Sequence, residues 1–135
     1  MKNQLFVLLG FLAVSLTGLA QLSGLQSGPM VGYSEMREVA LWVQTTHSMD
    51  VKLAYWEKGR PESLTTTESQ VTSKETGFAI TLIADKVSPG KLYEYALYLN
   101  QQKIEFTYPL EFTTQALWQW REDPPDFTFV AGSCL

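Results

Sequence analysis

Apolar and polar residues alternate regularly through the middle of the chain. From about residue 29 to residue 114, apolar residues recur at every second position, which is the spacing of β-strands rather than of helices. Turn-forming residues interrupt this alternation roughly every ten residues. No long helical pattern occurs within these limits. The pattern therefore predicts an all-β domain, residues 29–114, in which about seven short strands pack as a β-sandwich.

Some of the predicted strands have distinctive features. Residues 37–46 carry apolar side chains on both faces, which favours a strand at the centre of a sheet or one covered on both sides. Residues 104–114 alternate most cleanly and predict one strand, which Pro109 restricts to a sheet edge or a bulge. The Thr-rich residues 63–73 predict an edge strand or a loop. Pro89 and the glycine after it predict a turn.

The first twenty residues differ from the rest and predict a secretory signal peptide. Lys2 precedes an apolar run at residues 5–16, and the small residues Gly18 and Ala20 stand before a cleavage point at Gln21. The run is short for a membrane span, which needs about 20 residues. A retained membrane anchor is the alternative. We therefore expect a secreted or periplasmic protein with no transmembrane segment after cleavage, and a flexible lead-in at residues 21–28.

Charge and cysteine content narrow the possible functions. The 135 residues carry a formal net charge of −4 and contain no block of lysines or arginines, so no nucleic-acid-binding patch is expected. The chain has one cysteine, Cys134, and so cannot close an internal disulfide. This thiol is a buried core residue, an intermolecular partner or a metal ligand. His47 is the only histidine and falls in a predicted turn, without other ligand-type residues at metal-site spacing.

The alternation ends after residue 114, and a second unit follows. Residues 115–126 predict a linker, in which the carboxylates Glu122, Asp123 and Asp126 are separated by a proline pair and indicate solvated surface rather than a catalytic pair. Trp118 and Trp120 favour docking of the sandwich on a following domain over a ligand groove. Residues 127–131 predict the first strand of that domain. Ser133 lies outside any Gly-x-Ser-x-Gly motif, so a serine hydrolase is not supported.

Two short motifs resemble the fibronectin type III pattern. The stretch "VSPGKLYEYAL" (residues 87–97) is similar to the motif hydrophobic-x-Pro-Gly-x-x-Tyr-x-Tyr of that fold. The resemblance implies that Tyr93 forms a tyrosine corner. The stretch "VALWVQ" is similar to the tryptophan-bearing second strand, which implies that Trp42 anchors the core.

The order of several motifs resembles the N-terminal part of the alkaline phosphatase D (PhoD-like) family. The motifs are "SGPMVGYSEMREVALWVQ", "VSPGKLYEYAL", "EFTTQ" and "FTFVAGSC". The resemblance implies a fibronectin-like domain followed by a catalytic metallophosphatase domain in cis, which begins at residues 127–135 and is truncated here. It implies that Cys134 is a ligand to iron, which acts with calcium on a phosphate ester substrate. The other family ligands would lie downstream, so this chain alone is expected to be inactive and to bind neither metal tightly.

Two other interpretations remain open. The chain could be an exported fibronectin-like binding or adhesion module without catalysis, in which residues 127–131 are a last strand and Cys134 is incidental. It could also resemble a purple acid phosphatase, which has a fibronectin-like N-terminal domain. In that class the first catalytic strand should lead to an aspartate ligand rather than to "GSC", so we rank it below the PhoD-like interpretation.

Overall fold

The computed structural model describes residues 24–119, 121, 123–124 and 126–132. As the alternation predicts, the regular structure of the described chain is antiparallel β-structure, apart from short 3-10 helices at Pro61–Ser63 and Lys74–Thr76. The strands are β1 (Leu25–Ser34), β2 (Val39–Thr45), β3 (Asp50–Glu57), β4 (Thr65–Thr66), β5 (Gln70–Val71), β6 (Ala79–Ala84), β7 (Leu92–Leu99), β8 (Gln102–Lys103) and β9 (Glu111–Thr113).

The strands form two sheets that face each other as a fibronectin-like sandwich. The smaller sheet has the order β1-β2-β6, so the doubly apolar strand β2 lies at its centre, as predicted. In the larger sheet β3 and β7 pair along their whole lengths. The short strands β4 and β5 pair with the outer edge of β3, which confirms an edge position for the Thr-rich segment. The strands β8 and β9 pair with the other edge of β7.

The core lies between the two sheets and follows the period of two. In β2, the side chains of Val39, Leu41 and Val43 are fully buried, whereas Trp42 lies on the opposite face of the strand, which points away from the core. Inward-facing side chains of β3, β6 and β7 complete the same cluster. Each such aliphatic side chain stabilises the fold by about 1.5–3 kcal/mol relative to its exposed state. The apolar faces that the alternation predicts are therefore the faces that meet.

The predicted role of Trp42 as a core anchor is wrong. Trp42 is half-buried on the outer face of the smaller sheet, where it lies opposite Met30 of β1. The reason is the strand period: neighbouring residues point to opposite faces, so burial of Leu41 and Val43 turns Trp42 outward. Aromatic packing in the core comes instead from the larger sheet.

Four aromatic rings pack together at one end of the core. Tyr93 and Phe112 are stacked, with ring centroids 5.3 Å apart, and Tyr55 approaches Tyr93 edge-on at 6.4 Å. Tyr95 lies 5.8 Å from Phe112. Such pairs contribute about 0.5–1.5 kcal/mol each beyond the area that they bury. The cluster joins β3, β7 and β9 across the larger sheet.

The predicted tyrosine corner is present. The hydroxyl of Tyr93 accepts a hydrogen bond of 2.9 Å from the backbone N–H of Ser88, five residues upstream. The buried Thr114 hydroxyl donates to the Ser88 carbonyl at 2.7 Å and accepts from the Lys91 N–H at 2.9 Å. Gly90 lies in the same turn with a φ of 66°, a conformation that favours glycine. We call the bonds of Tyr93 and Thr114 to the 88–91 turn the corner clasp.

The prediction of one continuous strand over residues 104–114 is wrong. The Ile104 N–H donates to the Leu97 carbonyl, and the Tyr95 N–H donates to the Leu110 carbonyl. Between Ile104 and Leu110 lie five residues, whereas between Tyr95 and Leu97 lies only Ala96. Residues 105–109 therefore leave the edge of β7, and we call them the 105–109 bulge. Pro109 has no N–H to donate to a ladder, which is consistent with a break here.

The first strand begins earlier than the sequence pattern predicts. β1 starts at Leu25, within the expected flexible lead-in, because Leu25 pairs with Thr45 and packs against the core. A Cβ at Gly28 would lie 2.7 Å from the Trp42 carbonyl oxygen, so only glycine allows this close approach. The predicted signal peptide lies outside the described residues. Among the described residues, no helix is long and apolar enough to cross a membrane.

We expect Tyr93→Phe to lower the free energy of unfolding by about 0.5–1.5 kcal/mol, because it removes the partly buried hydrogen bond from the Ser88 N–H. Urea denaturation followed by circular dichroism measures this change. The matched control is Tyr98→Phe on the outer face of the same strand, where no described residue hydrogen-bonds the hydroxyl. An equal loss of stability in both variants would show that the corner clasp does not contribute in the way described.

Candidate functional site

The candidate site lies at the end of the sandwich where the chain leaves it. Three segments meet there: the 35–38 connection between β1 and β2, the 88–91 turn, and residues 114–117 after β9. The Gln115 N–H donates to the Glu35 carbonyl at 3.3 Å, and the Gly90 N–H donates to the Gln115 carbonyl at 3.1 Å. The start of the predicted linker is therefore bonded to the sandwich.

These segments enclose an open cleft of about 420 Å³, which we call the end cleft. Its lining combines charged and apolar side chains: Glu35, Met36, Arg37, Glu38, Pro89, Gln115 and Leu117. The Tyr33 hydroxyl donates a 2.8 Å hydrogen bond to Glu38, and this bond raises the pKa of Tyr33. The lining offers no nucleophile paired with a base. Its mixture of charges and partly exposed Leu117 fits contact with another protein surface rather than catalysis.

Beyond the end cleft the chain makes a tight turn. The Trp118 N–H donates to the Ala116 carbonyl at 3.1 Å, and the Arg121 N–H donates to the Trp118 carbonyl at 3.0 Å. The Trp118 side chain is half-buried. Trp120 lies outside the described residues. Docking of these two tryptophans on a following domain therefore stays a prediction.

The predicted strand at residues 127–131 is not formed. The described residues there adopt no regular structure, and the side chains of Phe127, Phe129 and Val130 are 85%, 79% and 95% exposed. A strand needs a neighbour to accept and donate its backbone hydrogen bonds, and no described strand pairs with this segment. Three large apolar side chains in water favour association with another surface. We call residues 127–130 the apolar tail segment.

The predicted site residues are only partly described. Cys134, Ser133 and Glu122 lie outside the described residues, so the expected metal role of Cys134 stays a prediction. Asp123 and Asp126 are exposed. His47 is exposed in the turn after β2, as predicted, and its Nδ1 lies 2.9 Å from the Thr46 hydroxyl. Within the part of the chain that the structure describes, no three His, Cys, Asp or Glu residues are grouped so that they could bind a metal ion.

Two functional features are absent from the sequence interpretation. The first is the contribution of the 35–38 connection to the end cleft, which depends on pairing between segments about 80 residues apart. The second is the extent of the 105–109 bulge: Pro109 predicts a sheet edge or a bulge, but not the loss of pairing over five residues that exposes Tyr108 and half-buries Phe106. Pro109 was the one sign of the bulge in the sequence, because proline is rare inside a paired strand.

Solved structures with the same fold include a sensor domain and a protein named PhoD. The sensor domain of the anti-sigma factor RsgI4 in Pseudobacteroides cellulosolvens is 17% identical, with a TM-score of 0.51 over 72% of this chain and 100% of that chain. The protein named PhoD is 13% identical, with a TM-score of 0.54 over 69% of this chain. The match spans 19% of the PhoD chain. At these identities the likeness shows the sandwich fold alone.

The sequence comparisons differ in outcome. No curated protein matches the chain. One family model, described as "Domain of unknown function (DUF7800)", matches residues 22–117. The match includes all nine strands and ends at Leu117, the last residue of the end cleft. The chain therefore belongs to the DUF7800 domain family.

Proposed function

We propose that the chain is the N-terminal sandwich domain of an exported PhoD-like phosphatase or phosphodiesterase. The observation that carries this proposal is the apolar tail segment, whose Phe127, Phe129 and Val130 side chains are exposed on a stretch separate from the sandwich. Exposed aromatic residues on an unpaired stretch are best explained as part of a second core that the following chain completes. In that domain the segment would become a buried strand.

The share of the PhoD chain that the match covers also supports the proposal. The sandwich corresponds to about a fifth of the PhoD chain, which leaves room for a catalytic domain of several hundred residues in a protein of that plan. The family match ends at Leu117, before the aromatic and proline-rich stretch that we interpret as a linker. The order of the motifs agrees with this plan, because the sandwich motifs come first and "FTFVAGSC" follows the linker.

In this proposal the end cleft is the surface that contacts the catalytic domain. Gln115 is hydrogen-bonded to the sandwich through both its N–H and its carbonyl, so the linker leaves from a fixed point beside Met36 and Arg37. A short linker keeps the next domain near this end of the sandwich. Trp118 and Trp120 would pack between the two domains, where large indole rings bury area at low entropic cost.

The catalytic chemistry of the parent would be metal-assisted hydrolysis of a phosphate ester. Cys134 follows the apolar tail segment by four residues, and a thiolate is a ligand type that suits iron. When bound, iron and calcium supply Lewis-acid polarisation of the ester and activation of the attacking oxygen. The other ligands would come from residues downstream of Leu135. The substrate would be a phosphomonoester or a phosphodiester.

A second function is favoured by a different observation. The likeness to the RsgI4 sensor domain covers that chain completely, so a sandwich of this size also serves as the sensor domain of an anti-sigma factor. This supports an exported binding or adhesion module without catalysis. The reading frame beyond Leu135 separates the two: a continuation rich in Asp, Asn and His favours the phosphatase, and a stop codon favours the module.

We expect the purified 135-residue chain to hydrolyse neither p-nitrophenyl phosphate nor its bis-ester above the buffer rate with iron and calcium added. The product of the extended reading frame should hydrolyse at least one. In that longer product, Cys134→Ser should lower iron content and activity at least about tenfold. Ser133→Ala is the matched control and should retain both. Turnover by the short chain that survives Cys134→Ser would contradict the proposal.

We also expect a chain that ends at Leu117 to unfold as cooperatively as the whole chain, with its free energy of unfolding within about 0.5 kcal/mol. The reason is that the sandwich core and the corner clasp lie before that point. A chain that ends at Thr113 is the matched control and should be destabilised, because it loses the buried Thr114 hydroxyl. Loss of cooperative unfolding in the Leu117 variant would mean that the tail belongs to the sandwich core.

A further inference from the structure

The strand β6 forms one edge of the smaller sheet. It pairs with β2 on one side, and no described strand pairs with it on the other. It has six residues and pairs with β2 without a register shift. Its sequence, "AITLIA", contains no charged residue, no proline and no glycine. A regular and uncharged edge of this kind is a template on which another strand can pair. We call it the β6 edge.

The other edges of the two sheets have features that block such pairing. The pairing of β1 with β2 shifts register at three points, and β1 contains Pro29. The strands β4 and β5 have two residues each. On the far side of β7, the 105–109 bulge interrupts the edge between β8 and β9. Bulges, prolines and very short strands are the usual protections of sheet edges. Among the described strands, β6 is therefore the one whose open edge lacks all of them.

Backbone groups of every second residue face outward along the β6 edge. The Thr45 N–H donates to the Phe78 carbonyl at 3.0 Å, directly before β6 begins. In an antiparallel ladder the hydrogen-bonded positions recur at every second residue, so the even-numbered residues of β6 bond β2. The N–H and carbonyl groups of Ala79, Thr81 and Ile83 therefore point away from β2. Each of these three residues offers one donor and one acceptor to a further strand.

Exposed apolar side chains lie on the same side of the sandwich as the β6 edge. Across the sandwich β6 lies beside β3, and β4 and β5 pair with the outer edge of β3. Val71 of β5 is 64% exposed, and Leu64, directly before β4, is 56% exposed. A partner that pairs with the β6 edge would approach this side. Cover for these side chains would add to the backbone hydrogen bonds.

We propose that the β6 edge pairs with the β6 edge of a second copy of this chain. The two strands run antiparallel about a two-fold axis at Thr81, so that Thr81 faces itself and Ala79 faces Ile83 of the second copy. Each of these pairs exchanges two backbone hydrogen bonds. Any other register that keeps the two faces of the sheet pairs at least one of these residues with a residue outside β6. Threonine opposite threonine is a favourable cross-strand pair.

The charges that flank β6 also favour a second copy as the partner. In this register Asp85, directly after β6, lies opposite Gly77 of the second copy, so no like charges face each other. Lys74 and Glu75 precede the strand, and Asp85 and Lys86 follow it, so neither flank has a net charge. Antiparallel pairing sets one flank beside the other without net repulsion. The pairing uses neither the end cleft nor the apolar tail segment and does not rest on the phosphatase role.

Sedimentation equilibrium of residues 21–135, the chain after its predicted cleavage point, tests the proposal. We expect a reversible monomer–dimer equilibrium with a Kd on the order of 100 μM, because an interface built on one strand edge is at the small end of specific interfaces. Phe129→Ser, in the apolar tail segment, should leave this Kd unchanged. A chain that stays monomeric well above that concentration would overturn the proposal, as would loss of the dimer in Phe129→Ser.

Charged variants of Thr81 test the position of the two-fold axis. Thr81→Lys and Thr81→Glu each set like charges opposite one another, so each should weaken self-association at least about tenfold. An equimolar mixture of the two sets opposite charges there and should restore the dimer. Thr107→Lys changes another exposed threonine, in the 105–109 bulge on the other side of the sandwich, and is the matched control that should keep the Kd. Thermal unfolding confirms that each variant is folded. A dimer that persists in Thr81→Lys, or a mixture that stays monomeric, contradicts the proposal.

Amide hydrogen exchange, followed by NMR at several concentrations of residues 21–135, locates the contact. The N–H groups of Ala79, Thr81 and Ile83 should gain protection as the concentration rises through the Kd, because only the second copy accepts from them. Those of Ile80 and Leu82 should be protected at every concentration, because they bond β2. Equal protection of both sets in the dilute monomer would contradict the proposal. Protection of the first set only in the product of the extended reading frame, independent of concentration, would identify another domain as the partner and overturn the second copy.

Discussion

The corner clasp is the constraint on which the rest of the structure depends. The hydroxyls of Tyr93 and Thr114 bond the backbone of the 88–91 turn, where the chain passes from the smaller sheet to the larger one. Their bonds tie that crossover to the end of β9. The Tyr93 and Thr114 side chains are buried, so the loss of a bond would leave a buried hydroxyl without its partner in the turn. The clasp thereby closes the sandwich and sets the direction in which residues 115–117 leave it.

The segment from β8 to β9 is held against β7 at both of its ends. Its middle therefore need not form regular backbone hydrogen bonds with β7. The hairpin turn at Asn100 and Gln101, both with positive φ, holds β8 against β7, and the corner clasp holds β9. Residues 105–109 need not contribute to sheet pairing, so they can project from the edge and line a cleft of about 220 Å³. A rigid sandwich with a projecting edge segment is a common way to present a binding surface.

Much of the fold could be predicted from the sequence, because a two-residue period determines which side chains face the core. The strands β2, β3, β6 and β7, the burial of Leu41 and Val43, and the bonded hydroxyl of Tyr93 all follow from it or from the local tyrosine motif. Pro109 indicates a sheet edge or a bulge, but the sequence does not distinguish between them. A continuous strand and a bulged one both direct Ile104, Leu110 and Phe112 inward, and only pairing with β7 distinguishes them. Likewise Trp42 is large and apolar, yet the strand period turns it outward.

Neither cleft could be predicted, because each joins residues that are distant in sequence. Glu35 and Leu117 line the end cleft, and Trp56 and Tyr108 are among the residues that line the cleft beside the 105–109 bulge. The proposed continuation into a catalytic domain rests on the apolar tail segment, which lacks a neighbour in the described chain. Amide hydrogen exchange, compared between this chain and the product of the extended reading frame, tests that continuation most directly. Residues 127–130 should exchange rapidly in the short chain and become protected in the longer product, while the sandwich stays protected in both. Protection of this segment in the short chain, or rapid exchange in both proteins, would contradict it.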